Sequence, residues 1–399
     1  PFVAPDPKKP ETGKCSPGID SGVEYIYRDR ELAEGVSEKE ACEGPAGLGF
    51  RVPMIIASPW TRGGHVCSEV FDHTSVFRFV QDLLEKSTGK QIVENTISHW
   101  RKTVCGDLTS AFRPFVDGEE KKLTPLERLP FIQGIYDAQF KPAPMNYPAL
   151  TAEDIAKAKA DPRSSAHLPQ QEPGVKPSCA LPYQLYADAS LSEDRKTISL
   201  TMEAGSEIFG DRSAGSPFNL QIPVKFANAP DTKGGLVFDH VGTRSYAVIA
   251  GGSLVDSWPV ANFEGGRYAL RVYGPNGFYR EHTGTTADPA ISVRCEYERS
   301  PDNAEKLTGN VVLFVSNSDV EQALEITIKD HSYSAKPIVQ HLSAATREPV
   351  KIVLDQSGSH GWYDFSLVVK GFEHFRKRHA GRVETGTASV TDPYMGRIV

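Results

Sequence analysis

Residues 51–83, RVPMIIASPWTRGGHVCSEVFDHTSVFRFVQDL, combine three patterns that together predict a fold. Residues 52–57 are a short apolar run bounded by turn-forming residues, which is typical of a strand buried in a parallel sheet. Apolar residues then recur at helical spacing over 76–84, and Asp72 offers an N-cap oxygen just before them. The order of strand, loop, N-cap and helix predicts half of a βαβ unit.

The loop between this strand and this helix is the predicted site, because ligands bind at the carboxyl ends of parallel strands. His73 is the candidate catalytic residue: Asp72 beside it could orient the imidazole, and the start of a helix favours an anion. The alternative is that Asp72 has the structural role of a cap and that His73 packs as a half-buried side chain.

Two further residues of the loop are candidate substrate-binding residues. Trp60 offers an aromatic face to a quaternary ammonium group, and Arg62 suits a phosphate. The alternative is a buried tryptophan that closes the sheet edge and a solvated arginine.

Composition excludes several classes of protein. The chain has 399 residues, of which 39% are hydrophobic and 24% charged, and its formal net charge is −7. These values are ordinary for a globular protein and make nucleic acid an improbable main partner. No apolar run approaches the roughly 20 residues that span a bilayer.

The six cysteines leave two interpretations open. None forms a Cys-x-x-Cys pair, so a structural zinc site is improbable. They are either free thiols or, in an exported protein, disulfides. A disulfide between Cys15 and Cys42 would close one loop. A disulfide between Cys67 and Cys105 would give these two residues a structural role beside the predicted site.

From about residue 180 the apolar pattern has a period of two, which is typical of an all-β sandwich. The predicted strands cover residues 197–202, 246–250, 268–272, 311–315, 323–328, 350–354 and 363–369. An internal repeat is visible: GRYALRV at 266–272 resembles GWYDFSL at 361–367, and FYREHTG at 278–284 resembles FRKRHAG at 375–381. Two matches in the same order predict a duplicated sandwich of roughly 100 residues per copy.

Several motifs occur in a specific order: RVP at 51–53, SPW at 58–60, RGG at 62–64, FDHTS at 71–75, VCGDLTSAF at 104–112 and GPNGF at 274–278. As an ordered set they resemble the bacterial phosphocholine-preferring phospholipase C family, a branch of the alkaline-phosphatase-like superfamily. The resemblance covers nearly the whole chain and is weakest over 15–45 and 116–178. ISHW at 97–100 departs from the family's usual proline before the tryptophan.

This resemblance implies a fold class of α/β, as the C-terminal part of an alkaline-phosphatase-like three-layer domain, followed by two all-β sandwich repeats. The implied boundaries place the catalytic domain's C-terminal section at residues 1–125, a linker at 126–178, the repeats at 179–287 and 288–386, and a tail at 387–399. An α/β sheet without its early strands is expected to expose apolar surface.

The resemblance also implies the reaction: hydrolysis of phosphatidylcholine or sphingomyelin to phosphocholine plus diacylglycerol or ceramide. In the family, the threonine nucleophile and the ligands of a divalent metal precede the segment matching Pro1, so the isolated chain is expected to be inactive and to hold no metal ligands.

The expected partners are the N-terminal part of the same precursor and a phospholipid substrate at a membrane surface, and the expected location is secreted or periplasmic. Two alternatives remain: an acid phosphatase of the same superfamily, and a non-catalytic lipid- or partner-binding fragment.

Overall fold

The computed structural model describes residues 2–115, 125–143, 145–168, 173–228, 236–238, 242–319, 321–346 and 348–398. The chain is mixed α/β and rich in strands, with one large sheet and few helices. It divides into two units, Pro1–Arg113 with Val175–Val399, and Pro114–Gly174.

Helices are mostly short in the part of the chain that the structure describes. The long one is the helix predicted from the 76–84 pattern, which is confirmed; it ends at Gly89, whose φ of +65° is left-handed. A short helix over Arg28–Ala33 ends just before Gly35, whose φ is +91°. The helices are α1 Arg28–Ala33, α2 His73–Thr88, α3 His99–Val104, α4 Arg128–Ala138 and α5 Ala152–Ala160.

The second unit contains α4 and α5. Although it contains Pro130, α4 is continuous from Arg128 to Ala138. Pro130 lies in its first turn, where a backbone N–H has no partner within the helix, so the ring is tolerated.

The strand predicted over residues 52–57 is not formed. The segment has no pairing partner among the described residues, and Ile55 is 92% exposed. A strand is defined by its ladder to a neighbour, which local apolar character does not supply. The βαβ unit expected around it is therefore wrong for this structure.

The strands predicted from residue 180 onward are confirmed, with ends shifted by up to eight residues. The strands are β1 Gly13–Cys15, β2 Tyr25–Ile26, β3 Gly44–Pro45, β4 Pro177–Ser178, β5 Leu185–Leu191, β6 Thr197–Ala204, β7 Ser216–Ile222, β8 Gly242–Val248, β9 Gly252–Pro259, β10 Arg267–Tyr273, β11 Tyr279–Thr285, β12 Ile291–Ser300, β13 Asn303–Asn317, β14 Leu324–Asp330, β15 Ile338–Leu342, β16 Val350–Leu354, β17 Trp362–Val369, β18 Arg376–Arg382 and β19 Ser389–Val390.

One nine-stranded sheet connects most of the β region. Its order is β1-β8-β7-β10-β11-β18-β17-β14-β15, and its pairs are antiparallel except for β1 with β8. Two three-stranded sheets, β5-β6-β9 and β12-β13-β16, complete the arrangement, with the two short ribbons β19-β4 and β2-β3.

Two separate apolar cores follow from this arrangement. Along β6, Ile198, Leu200 and Met202 are buried and alternate with more exposed residues. They pack in one cluster with residues of β7, β8 and β10, such as Leu220 and Leu270. A second cluster joins β12, β13 and β16 to β14 and β17. Period-two alternation thus produced the burial that it predicts.

The N-terminal segment joins the large sheet through β1. Gly13 pairs with Ser245 of β8 and has a φ of +137°. A Cβ at this position would lie 1.8 Å from the Ser245 carbonyl oxygen, so the close approach requires glycine.

Candidate functional site

The start of α2 is a capping box built on Asp72. Its Oδ1 accepts hydrogen bonds from the Thr74 amide (2.9 Å) and the Thr74 hydroxyl (2.6 Å). The Asp72 amide in turn donates to Ser75 Oγ (3.1 Å). These bonds satisfy backbone groups that a helix start leaves without partners, so the local sequence fixes where α2 begins.

The second oxygen of Asp72 is held from another part of the chain. Arg101 on α3 donates from Nη1 to Asp72 Oδ2 (2.6 Å) and from Nη2 to Glu24 Oε2 (2.8 Å). The Ser98 hydroxyl donates to Glu24 Oε1 (2.5 Å). Burial opposes the charge of Asp72, but the bonds from Thr74 and Arg101 outweigh it and lower the pKa of the carboxyl. We call Glu24, Asp72 and Arg101 the carboxylate–arginine network.

His73 is the first residue of α2, and its side chain is exposed. The imidazole of His73 makes no hydrogen bond to any residue that the structure describes. Both Asp72 oxygens serve other donors, so Asp72 does not orient the imidazole as one interpretation of the sequence supposed. The network therefore supports the backbone of the helix start and leaves the imidazole free to meet a ligand.

Trp60 and Arg62 lie on the loop that precedes α2 in the chain. Both side chains are exposed, and Trp60 is 51% exposed. Trp60 is therefore not the buried tryptophan of the alternative interpretation. Ser58 caps the short 3-10 helix Pro59–Thr61. The Arg113 amide donates to the Trp60 carbonyl (3.0 Å), and its guanidinium donates to the Arg62 carbonyl. The loop is thus held through its backbone.

Cys67 and Cys105 do not pair with one another, and Cys15 does not pair with Cys42; all six thiols are free. Cys105 packs with Trp100 and Val104 on α3. The Cys67 sulfur lies 3.2 Å from the Ser110 hydroxyl oxygen, and the thiols of Cys67 and Cys179 lie close enough to shift each other's pKa. The disulfide pairs considered from the sequence are therefore not the contacts that the fold creates.

The half-buried carboxyl of Glu69 lies beside this thiol pair. The Ser110 hydroxyl donates to Glu69 Oε2, and burial raises the pKa of Glu69 to about 7. Sequence analysis missed Glu24, Glu69, Arg101 and Cys179. Arg101 and Glu24 are 77 residues apart, and no periodicity marks so distant a pair.

The described residues contain no group of three or more His, Cys, Asp or Glu side chains placed to hold a metal ion. The residues that the structure describes therefore do not fit a metal centre of their own. Within the same stretches of the chain, no helix has both the length and the apolar character needed to cross a membrane.

Two family models match the chain. One is described as the bacterial phospholipase C, C-terminal domain, and matches residues 177–285. The other is described as the phosphoesterase family and matches residues 15–85, which include the loop and the start of α2.

Three curated relatives align with most of the chain. The non-hemolytic phospholipase C of Pseudomonas aeruginosa is 34% identical over 363 residues, covering 88% of this chain and 44% of that protein. The non-hemolytic phospholipase C of Burkholderia pseudomallei is 32% identical, covering 94% and 47%. The hemolytic phospholipase C of P. aeruginosa is 34% identical, covering 88% and 45%. The chain spans about half the length of these relatives.

Proposed function

We propose, from the premise that this chain belongs to the bacterial phospholipase C family, that it is the C-terminal part of an enzyme cleaving phosphatidylcholine or sphingomyelin. The products would be phosphocholine and a diacylglycerol or ceramide. The observation that carries the proposal is the position of His73. Its exposed side chain lies at the start of α2, directly after Asp72 of the carboxylate–arginine network. A group that contacts a substrate works best on such a fixed support.

The role assigned to His73 is to bind the phosphodiester and to move a proton. The N-terminus of the 16-residue α2 carries partial positive charge, which favours a phosphate nearby. An imidazole N–H can donate to a phosphoryl oxygen, and an imidazolium can protonate the leaving alcohol. The attack on phosphorus is assigned to residues outside this chain.

The role assigned to Trp60 and Arg62 is recognition of the headgroup. The exposed indole of Trp60 offers a face to the choline cation, and a guanidinium such as that of Arg62 suits the phosphate. The backbone bonds from Arg113 limit the freedom of the loop and would reduce the cost of ordering it around a substrate.

A divalent metal is assigned to the remainder of the enzyme. The described residues offer no cluster of ligands, so no step on this chain runs through a metal. When bound elsewhere in the complete enzyme, such an ion would polarise the phosphoryl group.

We propose that the N-terminal part of the same enzyme covers an apolar surface of this chain. Phe50 and Ile55 are 93% and 92% exposed, and Phe77 and Leu83 on α2 are 64% and 56% exposed. Large apolar side chains that are exposed to this extent often belong to an interface. Residues 52–57 would gain their missing strand partners from that part, which would complete the C-terminal section of a three-layer α/β domain over residues 1–125.

The two-sandwich arrangement belongs to the same proposal. On the paired strands β11 and β18, Arg280 lies opposite His379, and His282 lies opposite Lys377. In the alignment of the two sequence copies, Arg280 corresponds to Lys377 and His282 to His379. Exchanging the two copies converts the pair Arg280–His379 into the pair Lys377–His282, which supports a duplicated sandwich. The proposed boundaries are 179–287 and 288–386 for the two copies, with the linker 126–178 before them and the tail 387–399 after them.

The substrates are membrane lipids, so the proposed site of action is a membrane surface. A secreted or periplasmic location is the matching proposal, since it brings the enzyme to lipids of other membranes. The measurement is fractionation of the native host, followed by immunodetection of the chain in medium, periplasm and cytoplasm. Detection only in the cytoplasm would contradict the proposed location.

The test of the proposed function compares this 399-residue chain with the complete protein to which it is proposed to belong. The complete protein should hydrolyse p-nitrophenyl phosphocholine and release phosphocholine from phosphatidylcholine vesicles, whereas the isolated chain should do neither. Turnover by the isolated chain, purified to homogeneity, would contradict the proposal. A complete protein that hydrolyses p-nitrophenyl phosphate but not the phosphodiester would indicate the acid phosphatase alternative.

A non-catalytic lipid- or partner-binding fragment is the second candidate, and the exposed apolar side chains of residues 50–55 and α2 favour it. The measurement is co-sedimentation of the isolated chain with phosphatidylcholine vesicles. Binding by the chain, together with inactivity of the complete protein, would favour this candidate over the enzyme.

A further inference from the structure

Cys67 and Cys179 are brought side by side by a short parallel pairing. The Val66 amide donates to the Pro177 carbonyl (2.8 Å), and the Cys179 amide donates to the Val66 carbonyl (2.9 Å). Val66 is thereby paired with Ser178. In a parallel ladder the next residues, Cys67 and Cys179, are also opposite each other, with both side chains on the same face.

The spacing of such a ladder suits a covalent bond between the two sulfurs. Neighbouring strands lie about 4.8 Å apart, and disulfides join Cα atoms that are about 4.4–6.8 Å apart. Each thiol lies close enough to shift the pKa of the other. Little backbone movement would be needed to join them.

The surroundings give the two sulfurs different roles. Arg113 Nη1 lies 3.8 Å from the Cys179 sulfur. The neighbouring Cys67 thiol and the charge of Arg113 lower the pKa of the Cys179 thiol against the effect of burial. The neighbouring Cys179 thiol and burial raise the pKa of Cys67. Cys179 is therefore the more nucleophilic sulfur of the pair.

A route by which the Cys67 thiol can lose its proton is also present. The Cys67 sulfur lies 3.2 Å from the Ser110 hydroxyl, which donates to the half-buried carboxylate of Glu69. A cavity of about 200 Å³ adjoins Cys179 and is lined by Val66, Arg382 and the partly exposed Met395, among others. This cavity gives a small disulfide reagent space beside the buried residue Cys179.

We propose that Cys67 and Cys179 are a dithiol that closes to a disulfide by exchange with a small disulfide oxidant. The Cys179 thiolate attacks one sulfur of the oxidant, which forms a mixed disulfide and releases the first thiolate of the oxidant. Cys67 then attacks the Cys179 sulfur, its proton passing through Ser110 to Glu69, and the second oxidant thiolate leaves. The cysteine pair is oxidised by two electrons, and the oxidant is reduced to two thiols.

The bond would join the loop that follows Trp60 to the segment that leads into β5. It would close a loop of the chain that contains residues 68–178, and such long closures restrict the unfolded state most strongly. This inference does not rest on the proposed phospholipase activity.

The test is peptide mapping of the purified 399-residue chain after incubation with oxidised glutathione, with alkylation of the remaining thiols. Trypsin should release residues 63–78 linked to residues 164–195, with a mass lower by two hydrogen atoms than the sum of the two reduced peptides. The link should disappear on reduction. Cys67→Ser and Cys179→Ser should each abolish it, and Cys42→Ser, at an exposed thiol, should retain it.

Two results would overturn the proposal. One is a link between residues 63–78 and 103–121, which would show that Cys67 pairs with Cys105. The other is full alkylation of both Cys67 and Cys179 in the wild-type chain after oxidation. Because both readouts use the wild-type sequence, the test stands even where a serine variant folds poorly.

Discussion

His282 and His379 lie in one buried layer with their ring centroids 6.0 Å apart and their planes at 88°. Both are almost fully buried, at 1% and 0% exposure. The His282 ring bonds to the Ala187 carbonyl oxygen (3.0 Å), whereas neither ring nitrogen of His379 has a partner among the described residues. Each histidine therefore lies where a positive charge would be poorly solvated.

We predict that these histidines make the protein sensitive to acid. Burial, with the charges of Lys377 and Arg280, lowers the pKa of His282 to about 3, and burial lowers the pKa of His379 well below its ordinary value. The folded state therefore favours the neutral rings. The stability that they contribute is complete above the unfolded-state pKa of about 6.5 and is lost as pH falls toward the folded value.

The variant His379→Phe isolates this effect, because a phenyl ring can keep the parallel stacking on Phe365 (centroids 5.3 Å apart). Between about pH 6 and pH 4, the variant should lose stability more slowly, by up to about 1.4 kcal/mol per pH unit. Urea unfolding across this range measures it. The exposed His341→Phe is the control, and identical slopes for His379→Phe and wild type would contradict the prediction.

A second prediction separates the cap from the ion pair at Asp72. Asp72→Ala removes both the acceptor for Thr74 and the partner of Arg101, whereas Asp72→Asn keeps an acceptor at the cap. We expect Asp72→Ala to lower the free energy of unfolding by about 1 kcal/mol more than Asp72→Asn. Chemical denaturation followed by circular dichroism measures both. Equal losses of unfolding free energy in the two variants would mean that Asp72 stabilises the protein through its ion pair with Arg101 and not through the cap.

A third prediction concerns His73 in the complete enzyme. His73→Ala should lower kcat by about 10²–10⁴-fold if the residue moves a proton. Because the side chain is exposed and has no hydrogen bond to a described residue, the free energy of unfolding should change by less than about 0.5 kcal/mol. The matched control is His341→Ala, at an exposed histidine of β15. Unchanged turnover in His73→Ala would remove this residue from the mechanism.

A fourth prediction concerns Trp60, whose indole is 51% exposed. In the complete enzyme, Trp60→Ala should raise KM for choline phosphodiesters by about 2–30-fold, which corresponds to a cation–π contact of about 0.5–2 kcal/mol. KM for bis(p-nitrophenyl) phosphate, which has no cation, should change little. Trp60→Phe keeps an aromatic face, so its KM for choline phosphodiesters should fall between those of the wild type and Trp60→Ala. Equal effects on both substrates would argue against a choline contact.

Patterns with a short period predicted seven of the strands and the longest helix. The period-two pattern predicted β6, β10 and β17, because alternate residues of a strand face one core. The 3.6-residue period and the polar residues at Asp72 predicted α2 and its start, because a cap acts within three residues. The motifs around Trp60 and His73 indicated the family for the same reason: they lie in short, ordered runs of sequence.

What the sequence by itself determined is therefore what neighbouring residues decide: the strands, the helix and its cap. Only the tertiary structure decided that residues 52–57 lack a strand partner among the described residues, that Arg101 joins Asp72 to Glu24, and that Cys67 meets Cys179 rather than Cys105. Each of these outcomes depends on a second segment far away in the chain. Local propensity does not specify which distant segment supplies a hydrogen bond, a charge or a thiol, because these contacts form only when the cores pack.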